Sequence, residues 1–177
     1  NKFDYPEGYF FHEPSSTAPV THLLKRGSSK NPGKVVQPAI LLEVVEQFGE
    51  KPPLFEAPDE FTSRRRISLA RWIARKDNPL TTRVIVNRVW QFHFGQGLVR
   101  TPSDFGRRGA EPTHPELLDY LSDWFVNDAD WSVKKLHRLI MESSTYRMGK
   151  SQNAEYAVRD PSNRYLWRFP NQRLEVE

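Results

Sequence analysis

Cysteine is missing from all 177 residues, so the chain can form no disulfide, no thiolate metal site and no covalent haem attachment of the C-x-x-C-H type. Apolar residues are also scarce at 37%, and no run of them approaches the roughly 18 to 20 that a membrane-spanning helix needs. No charged-then-apolar leader opens the chain, so no signal peptide is read in it. The sequence has no phosphate loop of the Gly-x-x-x-x-Gly-Lys-Ser/Thr type, no dinucleotide fingerprint and no Gly-x-Ser-x-Gly elbow. Among the 5 histidines no two stand at the i, i+4 spacing of a helical metal pair. What remains is chemistry carried by isolated histidines, carboxylates, amides and arginines.

The aromatic content offsets the thin apolar composition. With 5 Trp and 11 Phe, 12% of the residues are aromatic, enough to build a core for one domain or a domain with an arm. Lys and Arg total 26 against 22 Asp and Glu, a net charge of +4 and a pI near 9.4. The excess is modest, and acidic residues are interspersed with the basic clusters.

Eight of the 14 prolines fall in the first 60 residues, which removes amide donors and fixes φ too often for long helices. Residues 1–60 are therefore expected to be a Pro-rich arm and loop region. Within it Val20–Arg26 reads as one short strand whose partner the sequence does not reveal, and Asn31-Pro32-Gly33 reads as a turn. Residues 39–48 fit a short helix ending at Gly49 or a buried strand.

Helical periodicity begins at Phe61, and residues 61–148 form the expected helical core. A first helix capped by Ser63 carries an apolar stripe of Ile67, Ala70, Ile73 and Ala74 and stops at Asp77-Asn78-Pro79. A second, from Thr81 or Thr82 to Phe94, is apolar on almost every side and is expected to be central and buried, with Gly95 ending it. The third opens on Thr113 and Glu116 in capping-box spacing, with Pro115 in the first turn, and its apolar face is Leu117, Leu118, Leu121, Trp124 and Phe125. The fourth starts at Ser132 with Val133, Leu136, Leu139 and Ile140 inward and His137 mostly outward. Residues 149–177 form a C-terminal extension with a turn at Asp160–Asn163. Arg173–Glu177 reads as the start of a helix, so the chain is expected to continue in a longer parent. The expected fold is thus mainly α, a compact unit of about four helices with an extended N-terminal arm and one short strand.

Polar residues set into the second helix are the first candidate site. Arg83, Asn87 and Trp90 share a face, whereas Arg88 projects about 100° away from Asn87. Asp104 is the expected carboxylate for one of these arginines, because the Gly95-Gln96-Gly97 turn folds the chain back along the helix. A structural clamp and a ligand-facing pocket are both open readings of this group. His93, His114 and Asp104 are the catalytic or metal-binding candidates, a potential set of two imidazoles and a carboxylate. Against that, His93 can serve the helix C-terminus and His114 can seat the next helix start, so no metal site is assigned. Arg107 and Arg108, with Arg83, Asn87 and Arg88, are the binding candidates. Trp90, Gly95, Gly97, Thr113 and Glu116 are assigned structural roles.

The run Arg83-Val-Ile-Val-Asn87-Arg88-Val-Trp90-Gln-Phe-His93-Phe94-Gly95-Gln-Gly97-Leu98-Val99 resembles the family called domain of unknown function 1553. The segments Thr101–Gly106, Gly109, Pro112–Leu118 and Ser143–Arg147 carry the same resemblance, which spans about Leu23 to Glu177. The departures are Ser28 where the family usually has an acidic residue after Arg-Gly, and Pro38-Ala39-Ile40 where it has Pro-Gly-x-Pro. The resemblance implies an exported or periplasmic planctomycete protein that often also carries a cytochrome c-type domain, and a setting near polysaccharide breakdown. Without cysteine, any haem would belong to a separate domain, and no cofactor is assigned to this chain.

These readings leave three functions open. The leading one is a helical interaction or scaffold module that contacts other domains of its parent, such as a cytochrome c domain. The second is part of a periplasmic enzyme acting on carbohydrate, metal- or redox-dependent. The third, less favoured by the modest charge, is binding of a polyanion or nucleic acid.

Overall fold

The computed structural model describes residue 13 and residues 15–39, 56–105 and 108–171. The element expected at 39–48, apart from Ala39, lies outside the described residues, as do Arg107 and the helix start at 173–177. The described residues are mainly helical with one small two-stranded sheet. The chain divides into two compact units, Asn1–Arg75 and Lys76–Glu177.

In the first unit, β1 (Thr21–Leu24) pairs antiparallel with β2 (Pro32–Val36). The expected lone strand therefore finds its partner a few residues downstream, and Pro32-Gly33 opens a strand instead of making a turn. Pro32 is tolerated because it is the first residue of an edge strand. The reversal is a 3-10 turn over Lys25–Gly27, where Arg26 and Gly27 both adopt positive φ. His22 Nδ1 lies 2.9 Å from the Gly33 carbonyl, across a bulge between His22 and Leu24.

The same unit holds α1 (Arg65–Ile73), whose start is fixed by carboxylates. Glu13 accepts from the Thr62 hydroxyl and the Ser63 amide, each at 2.6 Å, and from the Ser63 hydroxyl at 3.0 Å. These bonds, Thr62's first, with help from the Arg66 charge, outweigh desolvation and hold the Glu13 carboxyl below the usual range. Arg64 reaches Asp59 and Glu56, and Arg71 also pairs with Glu56. Ser63 does bond the Arg65 amide, at 3.4 Å, but the cap position itself is Arg64 in the left-handed region. The expected apolar stripe is not a buried one. Ile67 and Ile73 are exposed, and Ser68 is the buried residue of α1.

The second unit is built on α2 (Pro79–Phe94), which starts two or three residues earlier than expected because Asn78 is its cap. The Asn78 side chain accepts from the amides of Leu80 and Thr81, and Pro79 takes the first position. At the other end Gly95 closes the helix at φ 78°. The helix packs mainly on α3 (Pro115–Asn127) and also on α4 (Val133–Glu142). Val86, Trp90, Phe94, Leu98, Leu118, Leu121, Phe125, Leu136 and Ile140 form one buried cluster. The helix is central but not enclosed, since Arg88 and Phe92 face outward, Phe92 at 80% exposure.

Thr113 and Glu116 do not form a capping box. His114 is the cap residue of α3 and makes no side-chain cap bond. Thr113 is occupied elsewhere, its amide donating to the Leu98 carbonyl at 2.9 Å and its hydroxyl to the same oxygen at 3.4 Å. Ser132 caps α4 as expected, accepting from the Lys135 amide. A short helix not anticipated from the sequence, α5 (Ala154–Arg159), follows, capped by Asn153.

One side chain fixes the turn after α2. Asn87 is fully buried, and its amide nitrogen donates to the Val99 carbonyl at 3.0 Å while its oxygen accepts from the Val99 amide at 2.8 Å. Gly97 lies against this clamp, where a Cβ would sit 2.6 Å from the Asn87 amide nitrogen and 2.6 Å from the Val99 oxygen. Asn87→Ala would leave a buried donor and acceptor on Val99 unpaired, and is expected to cost at least about 2 kcal/mol in urea unfolding. Gly97→Ala should destabilise the wild type more than it does the Asn87→Ala background, because part of its clash is with the Asn87 amide. Equal costs in both backgrounds would show that the two residues do not share this contact.

Candidate functional site

The polar residues expected on α2 meet partners in three separate places. Arg83 pairs with Asp119 on α3, Nη2 to Oδ1 at 2.6 Å and Nε to Oδ1 at 3.0 Å, and also donates to the Pro79 carbonyl. The carboxylate that meets Arg83 is therefore Asp119 and not Asp104, because α2 and α3 pack side by side. Asn87 is taken by Val99. Arg88 is exposed, as are Arg108, Asp104 and Glu116. The Asp104 carbonyl accepts from the Thr101 hydroxyl at 2.8 Å, and Thr101 in turn accepts from the Ala110 amide. Gly109 lies so close to this loop that a Cβ there would collide with the Asp104 carbonyl.

The contacts of the two candidate histidines also diverge. His93 Nε2 lies 2.7 Å from His137 Nδ1 on α4, and its ring meets Tyr146 edge-on at 5.4 Å. His114 Nδ1 lies 2.9 Å from the Thr113 hydroxyl, and its ring meets Tyr165 edge-on. Among the described residues no group of three His, Asp or Glu side chains could hold a metal ion. His137, Tyr146 and Asp119 are thus neighbours that the sequence reading did not pair with these candidates. For His137 the available signal was its place beside Leu136 and three residues before Ile140, at the edge of the buried stripe.

A bond between two imidazoles needs one N–H and one lone pair, so at least one ring of the pair must stay partly unprotonated. Burial, and then the His137 charge, push the His93 pKa below 6.5. Tyr146 meets it edge-on, and Phe94, the next residue, stacks on Trp90 at 4.3 Å and also meets Tyr146 edge-on.

A separate cavity of about 300 Å³ opens beside the Gly95–Leu98 turn. Trp90, Phe94 and Thr113 line it together with part of the 161–171 segment, and Arg100, Arg164 and Arg168 stand in its wall. Its wall contains none of His93, Asp104 and His114. Leu166, which also lines it, adopts φ 53°, a strained value for a bulky side chain. Among the described residues no helix is long and apolar enough to cross a membrane.

The model of a family described as a protein of unknown function, DUF1553, matches residues 65–177, and the chain belongs to that family. The matched stretch is shorter than the span from Leu23 suggested by the sequence motifs. No curated protein and no solved structure matches the chain.

The lowered His93 pKa carries a sign. The unfolded chain binds more protons than the fold between that lowered value and 6.5, so this contribution to stability is intact above pH 6.5 and is lost as pH falls below it. The melting temperature of the wild type should therefore drop more between pH 7.5 and 5 than that of His93→Gln, in thermal scans followed by circular dichroism. Parallel curves would remove His93 as the source.

Proposed function

We propose that this DUF1553 member is an interaction module, a rigid helical piece of a larger exported protein that docks another of its domains. A cytochrome c-type domain is the partner implied by the sequence resemblance. The observation that carries the reading is the Asn87 clamp: this fully buried amide in the central helix is taken up by the backbone of Val99 and presents nothing to a substrate. Arg83 is likewise engaged, with Asp119. The outward face of α2 offers the complementary feature, since Arg88 and Phe92 are four residues apart on one exposed side and combine a cation with a large apolar ring.

A carbohydrate-directed enzyme would require His93, Asp104 and His114 to act on one ligand, and the hydrogen bonds and ring contacts of the two histidines run to different neighbours. A long polyanion is disfavoured because Arg64, Arg71 and Arg83 are held by carboxylates.

The test pairs this chain with the partner domain expressed separately. Arg88→Glu with Phe92→Ser is expected to keep the melting temperature and to weaken association with the separately expressed partner domain about ten-fold, read by calorimetry. His93→Ala, Asp104→Ala and His114→Ala should leave that association unchanged. Large losses of turnover in those three alanine variants, at unchanged melting temperature, would replace the docking reading with an enzymatic one.

A further inference from the structure

We infer that the cavity beside the Gly95–Leu98 turn binds a small organic oxyanion, through the guanidinium groups of Arg100, Arg164 and Arg168. The site lies apart from the Arg88–Phe92 face, and the inference does not depend on the docking role.

Three observations converge on it. The first is charge without a matching carboxylate among the described residues. Arg164 and Arg168 lie over the rings of Tyr165 and Trp167, at 5.7 and 4.9 Å, contacts that orient a guanidinium without using its hydrogen-bond donors. Arg168 Nε is buried and makes no hydrogen bond among the described residues. That unpaired donor is closed off from water and adds to the cost of this loop conformation, and it is as a member of the cavity wall that Arg168 can reach a ligand. Among the described residues the acid that feels the Arg100 charge is Asp160. Desolvation opposes its ionisation, but the amides of Tyr165 and Arg164, the Ser162 hydroxyl and the Arg100 charge together hold its pKa below the ordinary value. Its oxygens accept the Arg164 and Tyr165 amides at 2.8 Å each, so it organises the loop and offsets only one of three positive charges.

The second observation is that the wall is built before any ligand arrives. Asn163 grips Arg168 on both backbone groups, accepting from its amide at 3.3 Å and donating to its carbonyl at 2.9 Å. Trp167 Nε1 donates to the Asp160 carbonyl at 3.0 Å. Asn87 grips Val99, next to Arg100, in the same two-bond manner. Both backbone segments that carry arginines are thereby pinned by a buried or half-buried asparagine, and Leu166, whose amide donates to the Asn163 carbonyl, keeps its strained conformation within the same loop.

The third is shape. A cavity of about 300 Å³ stands at the small end of ligand sites, and its Trp90 and Phe94 side is aromatic whereas its arginine side is cationic. That combination fits a ligand with an oxyanion head group and a body no larger than a single ring. Planar guanidinium forks suit carboxylate, sulfate and phosphate alike.

Titration of the ¹⁵N-labelled full chain distinguishes the head groups, using inorganic sulfate, inorganic phosphate, glucuronate as the carboxylate and glucose as the uncharged control. Saturable shifts of the Gly97, Arg100 and Leu166 amides are expected with at least one anion and none with glucose, the strongest binder identifying the head group. Arg100→Gln and Arg168→Gln should each weaken that binder about ten-fold or more at unchanged fold, with partial recovery in Arg168→Lys. If Arg168→Gln unfolds, the exposed Arg100 decides the question alone. Absence of saturable binding by all three anions, or equal affinity in Arg100→Gln, would overturn the inference.

Discussion

Two hydrogen bonds from one amide side chain hold the second unit together at its turn. Asn87 lies in the middle of α2 and Val99 lies beyond the end of that helix, so closing this pair fixes where the chain goes after Gly95. From there Leu98 enters the core, its carbonyl receives Thr113, and α3 begins where its apolar face can meet α2. The side chain is fully buried, and in that setting an unmatched amide would be destabilising, so the pair specifies one path of the chain more than it adds net stability.

Around that point the side chains sort into separate tasks. Hydrophobic burial by Trp90, Phe94, Leu98, Phe125, Leu136 and Ile140 supplies the driving force, at roughly 1.5 to 3 kcal/mol for each large side chain removed from water. The Arg83–Asp119 pair stays at the surface, where it sets the register of α2 on α3 and contributes little energy. The His93–His137 pair sits at the junction of α2 and α4, inside an aromatic group that includes Tyr146 and Phe169. The arginines of the 161–171 loop differ from all of these, because their contacts within the described residues are to aromatic faces and their charge is largely uncompensated.

What the sequence made legible was local. The bodies of α2, α3 and α4 followed from apolar spacing, and the end of α2 from Gly95, because those signals act within a few residues. The signals that misled were those which a distant partner can override. Thr113 and Glu116 had the spacing of a capping box, but Leu98 claimed Thr113 from 15 residues away. Pro32-Gly33 reads as a turn in isolation and becomes strand because β1 pairs with it. The six residues of α5 are too few for a periodic pattern. The histidine candidates illustrate the same limit. His93 and His137 are 44 residues apart, and spacing alone cannot single out that pair from the other combinations. Asn87 and Gly97 were recognised as belonging near the turn, but the fit of one against the other is visible only in three dimensions.

The position of Asn78 has a practical corollary. It is 1% exposed, it caps α2, and it falls just inside the unit that opens at Lys76. A gene fragment cut ahead of Lys76 would carry the first fastening of its longest helix with it, whereas one begun at Leu80 would expose a frayed end. Whether a truncation keeps the first turn of this helix is thus decided by a single carboxamide.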